Sequence, residues 1–224
     1  MSLDLTTRAN WLSEMFEVTS KPVVYDADNG GNIEHLKFLS RRLEKLGVSA
    51  IVIEDKIGVK RNSLFKDQSN TKLDSIPGFV NKIKTIKKSR ISKNFLIIAR
   101  LESLIVKRGM KDALKRAENY SKAGADLILI HSKEKTSKEI FKFAKLFKKS
   151  KFFKPLVAVP STYSSVKESE LIKHGFKLVI YANHLLRASY FSMVETAKTI
   201  LKFQRSKETE KKIISIKKII ELIE

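Results

Sequence analysis

Phe95-Leu-Ile-Ile-Ala-Arg-Leu-Glu102 is the stretch from which the fold can be read. Its apolar residues run without polar alternation, so a strand made from them is buried on both faces, as in a parallel sheet. The two charged residues, Arg100 and Glu102, come only at the carboxyl end. The same design precedes it in Ala50-Ile-Val-Ile-Glu-Asp55 and follows it in Ala125-Asp-Leu-Ile-Leu-Ile-His-Ser132. Further out it returns in Pro22-Val-Val-Tyr-Asp26, Leu156-Val-Ala-Val-Pro-Ser-Thr162 and Lys177-Leu-Val-Ile-Tyr-Ala-Asn183. Amphipathic stretches separate these runs. Leu36, Leu39, Leu43 and Leu46 recur at helical spacing before Gly47, and Ala113, Leu114, Ala117 and Tyr120 before Gly124. Thr136 with Glu139, and Ser165 with Glu168, have the spacing of a capping box.

Strand–helix units in series fit either a (β/α) barrel or a doubly wound sheet. Polar residues sit at the carboxyl end of every strand, which is what the working face of a barrel requires. A doubly wound sheet would gather them at one switch point. There is no G-x-G-x-x-G and no Walker-type loop. The expected fold is therefore an α/β (β/α)8 TIM-type barrel, with six of its strands visible and a helix over Leu5 to Val18 ahead of them.

Composition narrows the function. With 42% hydrophobic and 31% charged residues over 224 positions, global disorder is excluded. The absence of cysteine excludes a disulfide framework, a thiolate metal site and a cysteine nucleophile. The first residues lack an apolar signal core, and no apolar run approaches the roughly 18 to 20 residues of a membrane span. A cytoplasmic protein without membrane contact is expected. The net charge of +21 is the kind a nucleic-acid binder carries. Here, though, the lysines are spread along the whole chain and no stacking aromatics interleave with them, so nucleic acid is not the expected partner. The densest basic run, Lys82 to Lys93, is expected to lie between two structured segments.

Asp26 and Asp28 are two residues apart and point the same way on an extended strand end. Glu54 ends the next strand, so the three carboxylates form a candidate site for Mg²⁺ or Mn²⁺, hard cations that keep several waters. The alternative is that Asp26 and Asp28 only cap the turn Asn29-Gly30-Gly31. The segment from Asp55 shows no helical period until Ile76. It is either a lid that brings Lys60 and Asn62 over an anion or an ordinary surface loop. Arg100 needs Glu102, another carboxylate or a bound anion as partner. His131 is either a satisfied core histidine or, beside Arg100, a donor to a phosphoryl or carboxylate oxygen. Ser132 has no His–Asp partner pattern, which argues against a serine hydrolase.

Seven segments occur in an order that resembles a known family: Tyr25-Asp-Ala-Asp-Asn-Gly-Gly31, Val52-Ile-Glu-Asp-Lys56, Lys60-Arg-Asn-Ser-Leu64, Ile98-Ala-Arg-Leu-Glu-Ser-Leu-Ile105, Ala123-Gly-Ala-Asp-Leu-Ile-Leu-Ile-His-Ser-Lys133, Val159-Pro-Ser-Thr-Tyr163 and Tyr181-Ala-Asn-His-Leu-Leu-Arg-Ala-Ser189. They resemble the phosphoenolpyruvate phosphomutases of the isocitrate lyase and phosphoenolpyruvate mutase superfamily, from about Leu5 to Phe203. The resemblance implies a Mg²⁺-dependent isomerase of phosphonate biosynthesis that interconverts phosphoenolpyruvate and 3-phosphonopyruvate. It implies Asp26 as the nearest metal carboxylate, with Asp28 and Glu54 acting through water. By the same likeness Arg100 and His131 hold the transferring phosphoryl group, and Lys60, Asn62 and Ser63 belong to the loop that closes over the substrate.

Lyases of the superfamily carry a Lys-Lys-Cys-Gly-His type loop, and this chain has no cysteine. Phosphonopyruvate hydrolase is the alternative activity. Asn29-Gly30-Gly31 departs from the family's commoner Thr-Gly-Tyr-Gly. Two strands that the family carries upstream, with a substrate-binding Trp-Ser-Gly-Leu segment and a catalytic aspartate, have no counterpart here. The sequence thus reads as a barrel lacking its front, and a third reading is an inactive barrel that acts only through association. The expected domains are a barrel over 1–203 and an amphipathic helix over 204–224, either exchanged between subunits, as the resemblance to the superfamily implies, or packed on its own barrel. A homo-oligomer (dimer or tetramer) is expected.

Overall fold

The computed structural model of this chain describes residues 4–58, 62–65, 67, 68 and 70–222. Elements are numbered in chain order. The strands β1 (Val24–Asp26), β2 (Ala50–Glu54), β5 (Leu96–Leu101), β6 (Leu127–Ile130), β7 (Leu156–Ala158) and β8 (Phe176–Val179) lie side by side in that order, every neighbouring pair parallel. They form a curled parallel half-barrel of six strands. Helices α1 (Leu5–Val18), α2 (Ile33–Lys45), α3 (Ile76–Ser89), α4 (Gly109–Ala123), α5 (Lys138–Phe147) and α6 (Glu168–Lys173) alternate with them. One feature has no forewarning in the sequence. The long connection after β2 opens and closes with a two-stranded antiparallel ribbon, β3 (Lys56–Ile57) with β4 (Lys72–Leu73).

Burial along the strands has a period of two, and that period sorts chemistry from packing. Ile51, Ile53, Ile97, Ala99, Ile128 and Ile130 face the helices and share one large core with Leu36, Leu43, Phe79, Ile83, Tyr120 and Phe143. Ala50, Val52, Ile98, Leu129 and Val157 face the other way and make a separate, smaller cluster. Continued by two residues, this inner series runs from Val52 to Glu54, from Ile98 to Arg100 and Glu102, and from Leu129 to His131. The register sets Glu54 opposite Arg100 and, continued from Leu101 with Ile130, His131 opposite Glu102, so these polar residues arrive on two successive levels of the inner face.

The helices end where their chemistry directs. Ser75 caps α3, its Oγ accepting from Gly78 N at 3.0 Å, and Pro77 lies in the first turn. Gly124 ends α4 at φ 119, a left-handed conformation that side chains with a Cβ avoid. The basic run expected between elements lies mostly on α3 itself. Phe79, Ile83 and Ile86 are its buried face, and Lys84, Lys87 and Lys88 its exposed one. The two expected capping boxes are not formed as drawn. Glu139 accepts from Ser132 Oγ instead of capping α5, whose N-cap is Ser137. At α6 the N-cap is Lys167, with Glu170 reaching back to its amide.

The chain divides into two compact units, residues 1–180 and 181–224. The boundary expected at 203/204 falls inside the second unit, at the end of α7 (His184–Phe203). This unit also holds the short α8 (Ile216–Ile220). Among the described residues no helix is long and apolar enough to cross a membrane.

Phe143 on α5 is fully buried and packs on Phe147, ring centroids 5.5 Å apart. Phe143→Ala is expected to lower the unfolding free energy by about 3–5 kcal/mol in urea titrations.

Candidate active site

The carboxyl ends of β2, β5 and β6 bring together a cluster of charges whose centre is Glu102. Its side chain is fully buried. Oε1 accepts from Arg100 Nε at 2.6 Å and lies 3.0 Å from His131 Nδ1. Oε2 accepts from Ser63 Oγ at 2.6 Å and lies 3.5 Å from Lys56 Nζ. Ser63 comes from the loop between β3 and β4, yet it is only 2% exposed. Its hydroxyl donates to Glu102 and accepts from both Lys56 Nζ (2.8 Å) and Arg100 Nη2 (3.0 Å), which uses its full hydrogen-bonding capacity. Glu54 completes the group, with Oε1 3.4 Å from Lys56 Nζ and Oε2 3.5 Å from Arg100 Nη2.

Burial and charge compete at each of these groups. Burial raises the Glu54 carboxyl above its ordinary range, although Arg100 and Lys56 draw it down. Burial opposes the charge on Glu102 as well. There Arg100 above all, with Lys56, outweighs it, and the carboxyl is held well below the usual carboxylate range. Burial disfavours the Arg100 charge, but Glu102, Glu54 and Asp26 reverse that and raise its pKa. Burial and Arg100 depress His131, so its imidazole is neutral near pH 7. His131 Nδ1 is 3.0 Å from both Arg100 Nη2 and Glu102 Oε1. One ring nitrogen cannot donate to Glu102 and accept from Arg100 at once. The tautomer that accepts from the guanidinium leaves Nε2–H as a donor for an anion.

The acids at the ends of β1 and β2 do not meet as a trio. Among the described residues no three His, Cys, Asp or Glu side chains are grouped closely enough to hold a metal ion between them. Asp28 has a left-handed φ of 54, and its Oδ2 accepts from Arg8 Nη1 at 2.9 Å. Arg8 also donates to the Asp26 carbonyl. The donor set nonetheless fits a hard cation. Among the described residues Glu54 Oε2 is buried without a hydrogen-bond partner, its ion pair with Arg100 being long at 3.5 Å, and the Asp26 charge acts on both Glu54 and Arg100. Mg²⁺ keeps most of its waters and needs only one or two carboxylates, so a ready cage is not required.

Arg100, His131, Ser63 and Glu54 are thus brought into one cluster. Asn62 stands apart: it is exposed, and its Oδ1 accepts from Leu64 N within the loop. Lys60 lies outside the described residues. Sequence reasoning missed Lys56 and Arg8. Lys56 was signalled by the strand period, since it continues the inner series one step past Glu54. Arg8 carried no signal, because nothing local ties a helix residue to acids about twenty positions away.

A family model described as phosphoenolpyruvate phosphomutase matches residues 1–201. The chain belongs to the phosphoenolpyruvate phosphomutase family. It is 38% identical over 212 residues to a phosphoenolpyruvate phosphomutase of Tetrahymena pyriformis, covering 94% of this chain and 69% of that one. Its fold matches the crystal structure of a phosphoenolpyruvate phosphomutase from Streptomyces platensis subsp. rosaceus with a TM-score of 0.93 at 35% identity, covering 98% of this chain and 75% of the other. It also matches a phosphonopyruvate hydrolase solved with oxalate and Mg²⁺, with a TM-score of 0.88 at 33% identity and coverages of 98% and 75%.

Glu102 gives this family member a pH signature. Its carboxyl, near 4.5 when unperturbed, is held lower in the folded state. The stability its charge contributes is therefore present above about pH 4.5 and lost as pH falls through the folded pKa. Glu102→Gln is expected to cost about 3–5 kcal/mol at pH 7 by leaving Arg100 buried without its partner. In urea unfolding across pH 3–8 that gap should narrow below about pH 4.5.

Proposed function

We propose that this protein is a phosphoenolpyruvate phosphomutase, a Mg²⁺-dependent isomerase that interconverts phosphoenolpyruvate and 3-phosphonopyruvate and serves phosphonate biosynthesis. The observation that carries this reading is Arg100, fixed by Glu102 beside a neutral His131 at the ends of adjacent parallel strands. In the forward reaction the bond from the enol oxygen to phosphorus breaks and a bond from the methylene carbon to phosphorus forms, with no net gain or loss of atoms. The group in flight is metaphosphate-like, so catalysis is a matter of positioning and charge. Arg100 and an Nε2–H of His131 bind its equatorial oxygens. Asp26, Asp28 and Glu54 would hold Mg²⁺, which when bound would supply positive charge to substrate oxygens. Lys60 and Asn62 close over the substrate from the loop that carries Ser63.

Phosphonopyruvate hydrolase is the competing reading, since relatives of both activities are similar to this chain. The mutase is favoured by the loop. Ser63 reaches from it into the buried cluster, and a loop seated there keeps water from an intermediate that water would destroy. A lyase is disfavoured by the lack of any cysteine. The protein is further proposed to work in the cytoplasm as a homo-oligomer. Supporting the latter, α7 buries none of its residues, and Leu185, Leu186 and Phe191 are more than two-thirds exposed.

Phosphorus NMR of the chain with phosphonopyruvate and Mg²⁺ tests the assignment. Phosphoenolpyruvate should form, Asp26→Ala should abolish it, and Arg100→Ala should lower kcat/KM by at least about 10²-fold. Free phosphate as the sole product would transfer the assignment to the hydrolase. Folded protein with no turnover would overturn both.

A further inference from the structure

Asp55 is fully buried, but not with the cluster just described. It follows Glu54 and so points to the opposite side of the sheet, beneath the helices. An acid there is costly, and an apolar residue of similar volume would often serve stability as well. What the carboxylate does is visible in its hydrogen bonds. Asp55 N donates to the Arg100 carbonyl at 3.1 Å, as the parallel ladder of β2 with β5 requires. One more rung would have Glu102 N donate to the Asp55 carbonyl. That carbonyl is instead taken by Asp74 N at 2.9 Å, where the loop returns from β4. Glu102 N donates to Asp55 Oδ1 at 2.9 Å. The side chain of Asp55 thus replaces its own backbone as the acceptor for Glu102, while its backbone holds the far foot of the loop.

The other carboxylate oxygen is held from α4. Oδ2 accepts from Tyr120 OH at 2.8 Å and from Arg116 Nη1 at 3.1 Å. Arg116 Nη1 also donates to the Asp74 carbonyl at 2.9 Å and to Tyr120 OH at 2.8 Å. Arg116 is held in turn by Asp112, through Nε at 2.8 Å. Both feet of the loop and the backbone of Glu102 therefore meet at one residue, Asp55, with Arg116 bridging its carboxylate to the Asp74 carbonyl.

We propose that Asp55, clamped by Tyr120 and Arg116, is a positioning residue: it fixes Glu102, and through it Arg100, and it pins the loop that delivers Ser63. The effect on turnover rests on the phosphomutase reading above; the effect on Glu102 and Arg100 does not.

The test uses the full chain with Tyr120→Phe, which removes one hydroxyl and keeps the ring, and Arg116→Lys, which keeps the charge but loses the planar fork. Tyr163→Phe is the control, the same deletion at another fully buried tyrosine. Two readouts need no catalysis: the exchange rate of the Glu102 amide and the Arg100 Nε–H resonance in ¹⁵N-labelled protein. Tyr120→Phe should speed Glu102 amide exchange by about tenfold or more, shift the Arg100 signal, and lower kcat by about ten- to a hundredfold. Tyr163→Phe should leave the Glu102 and Arg100 signals unchanged. The proposal fails if Tyr120→Phe lowers the melting temperature but leaves the two signals as in the parent, or if Tyr163→Phe moves them equally. Should Tyr120→Phe not fold, Arg116→Lys carries the same expectations. If neither folds where Tyr163→Phe does, the network is structural only and the proposal is wrong. A parent protein without turnover would remove the proposed reaction and leave the two signals to decide.

Discussion

The carboxylate of Glu102 is sealed from water, and the arrangement of the site follows from satisfying it. An ionised acid in such a position is tolerated only when cations and hydrogen-bond donors surround it. Arg100, Lys56 and Ser63 do so here, each from a different place: its own strand, the foot of the loop and the loop itself. The same contacts fix the direction of Arg100 and hold Ser63 in a buried seat. An arginine of this kind is ordered before any ligand arrives, which lowers the entropic cost of gripping one.

That dependence explains which parts of the molecule were legible from sequence. Strand runs such as Phe95–Glu102 were legible because burial on both faces forces a continuous apolar composition, and a charge is tolerated only where the strand emerges. Arg100, His131 and Glu54 were legible for the same reason, as polar residues ending apolar runs. The β3–β4 ribbon was not, since two residues on each side carry no periodicity. Asp55 was visible as an acid, but its role depends on a backbone diversion at Asp74, almost twenty residues on. The partnership of Arg8 with Asp28 likewise has no local correlate. The expected capping boxes fail because a spacing of three specifies only that two groups can meet. Ser132 outcompetes Thr136 for Glu139.

On the reading proposed above, the loop bears on the choice among neighbouring chemistries. A lyase of the superfamily needs a proton donor in its loop, and a hydrolase needs a path for water. Here the loop's Ser63 has spent its donor on Glu102 and its acceptor sites on Lys56 and Arg100. In this arrangement it has no proton to give. Its contribution is to seat the loop, which suits a reaction that must exclude water more than one that must deliver protons.

The net charge of +21 stands apart from this site. Within the cluster the cations Arg100 and Lys56 are matched by Glu54 and Glu102, so the site itself contributes no excess. The excess lies on surfaces such as the exposed face of α3, where Lys84, Lys87 and Lys88 stand in water. At physiological salt such charges are screened beyond about 8 Å. They cannot orient a substrate already in the site, but they raise the local concentration of small anions around the protein. Grip and attraction are thus divided. The buried, balanced pairs give geometry without a net field, and the scattered lysines give a field without geometry. This division allows a strongly basic surface to surround a site whose own charges are held in near balance.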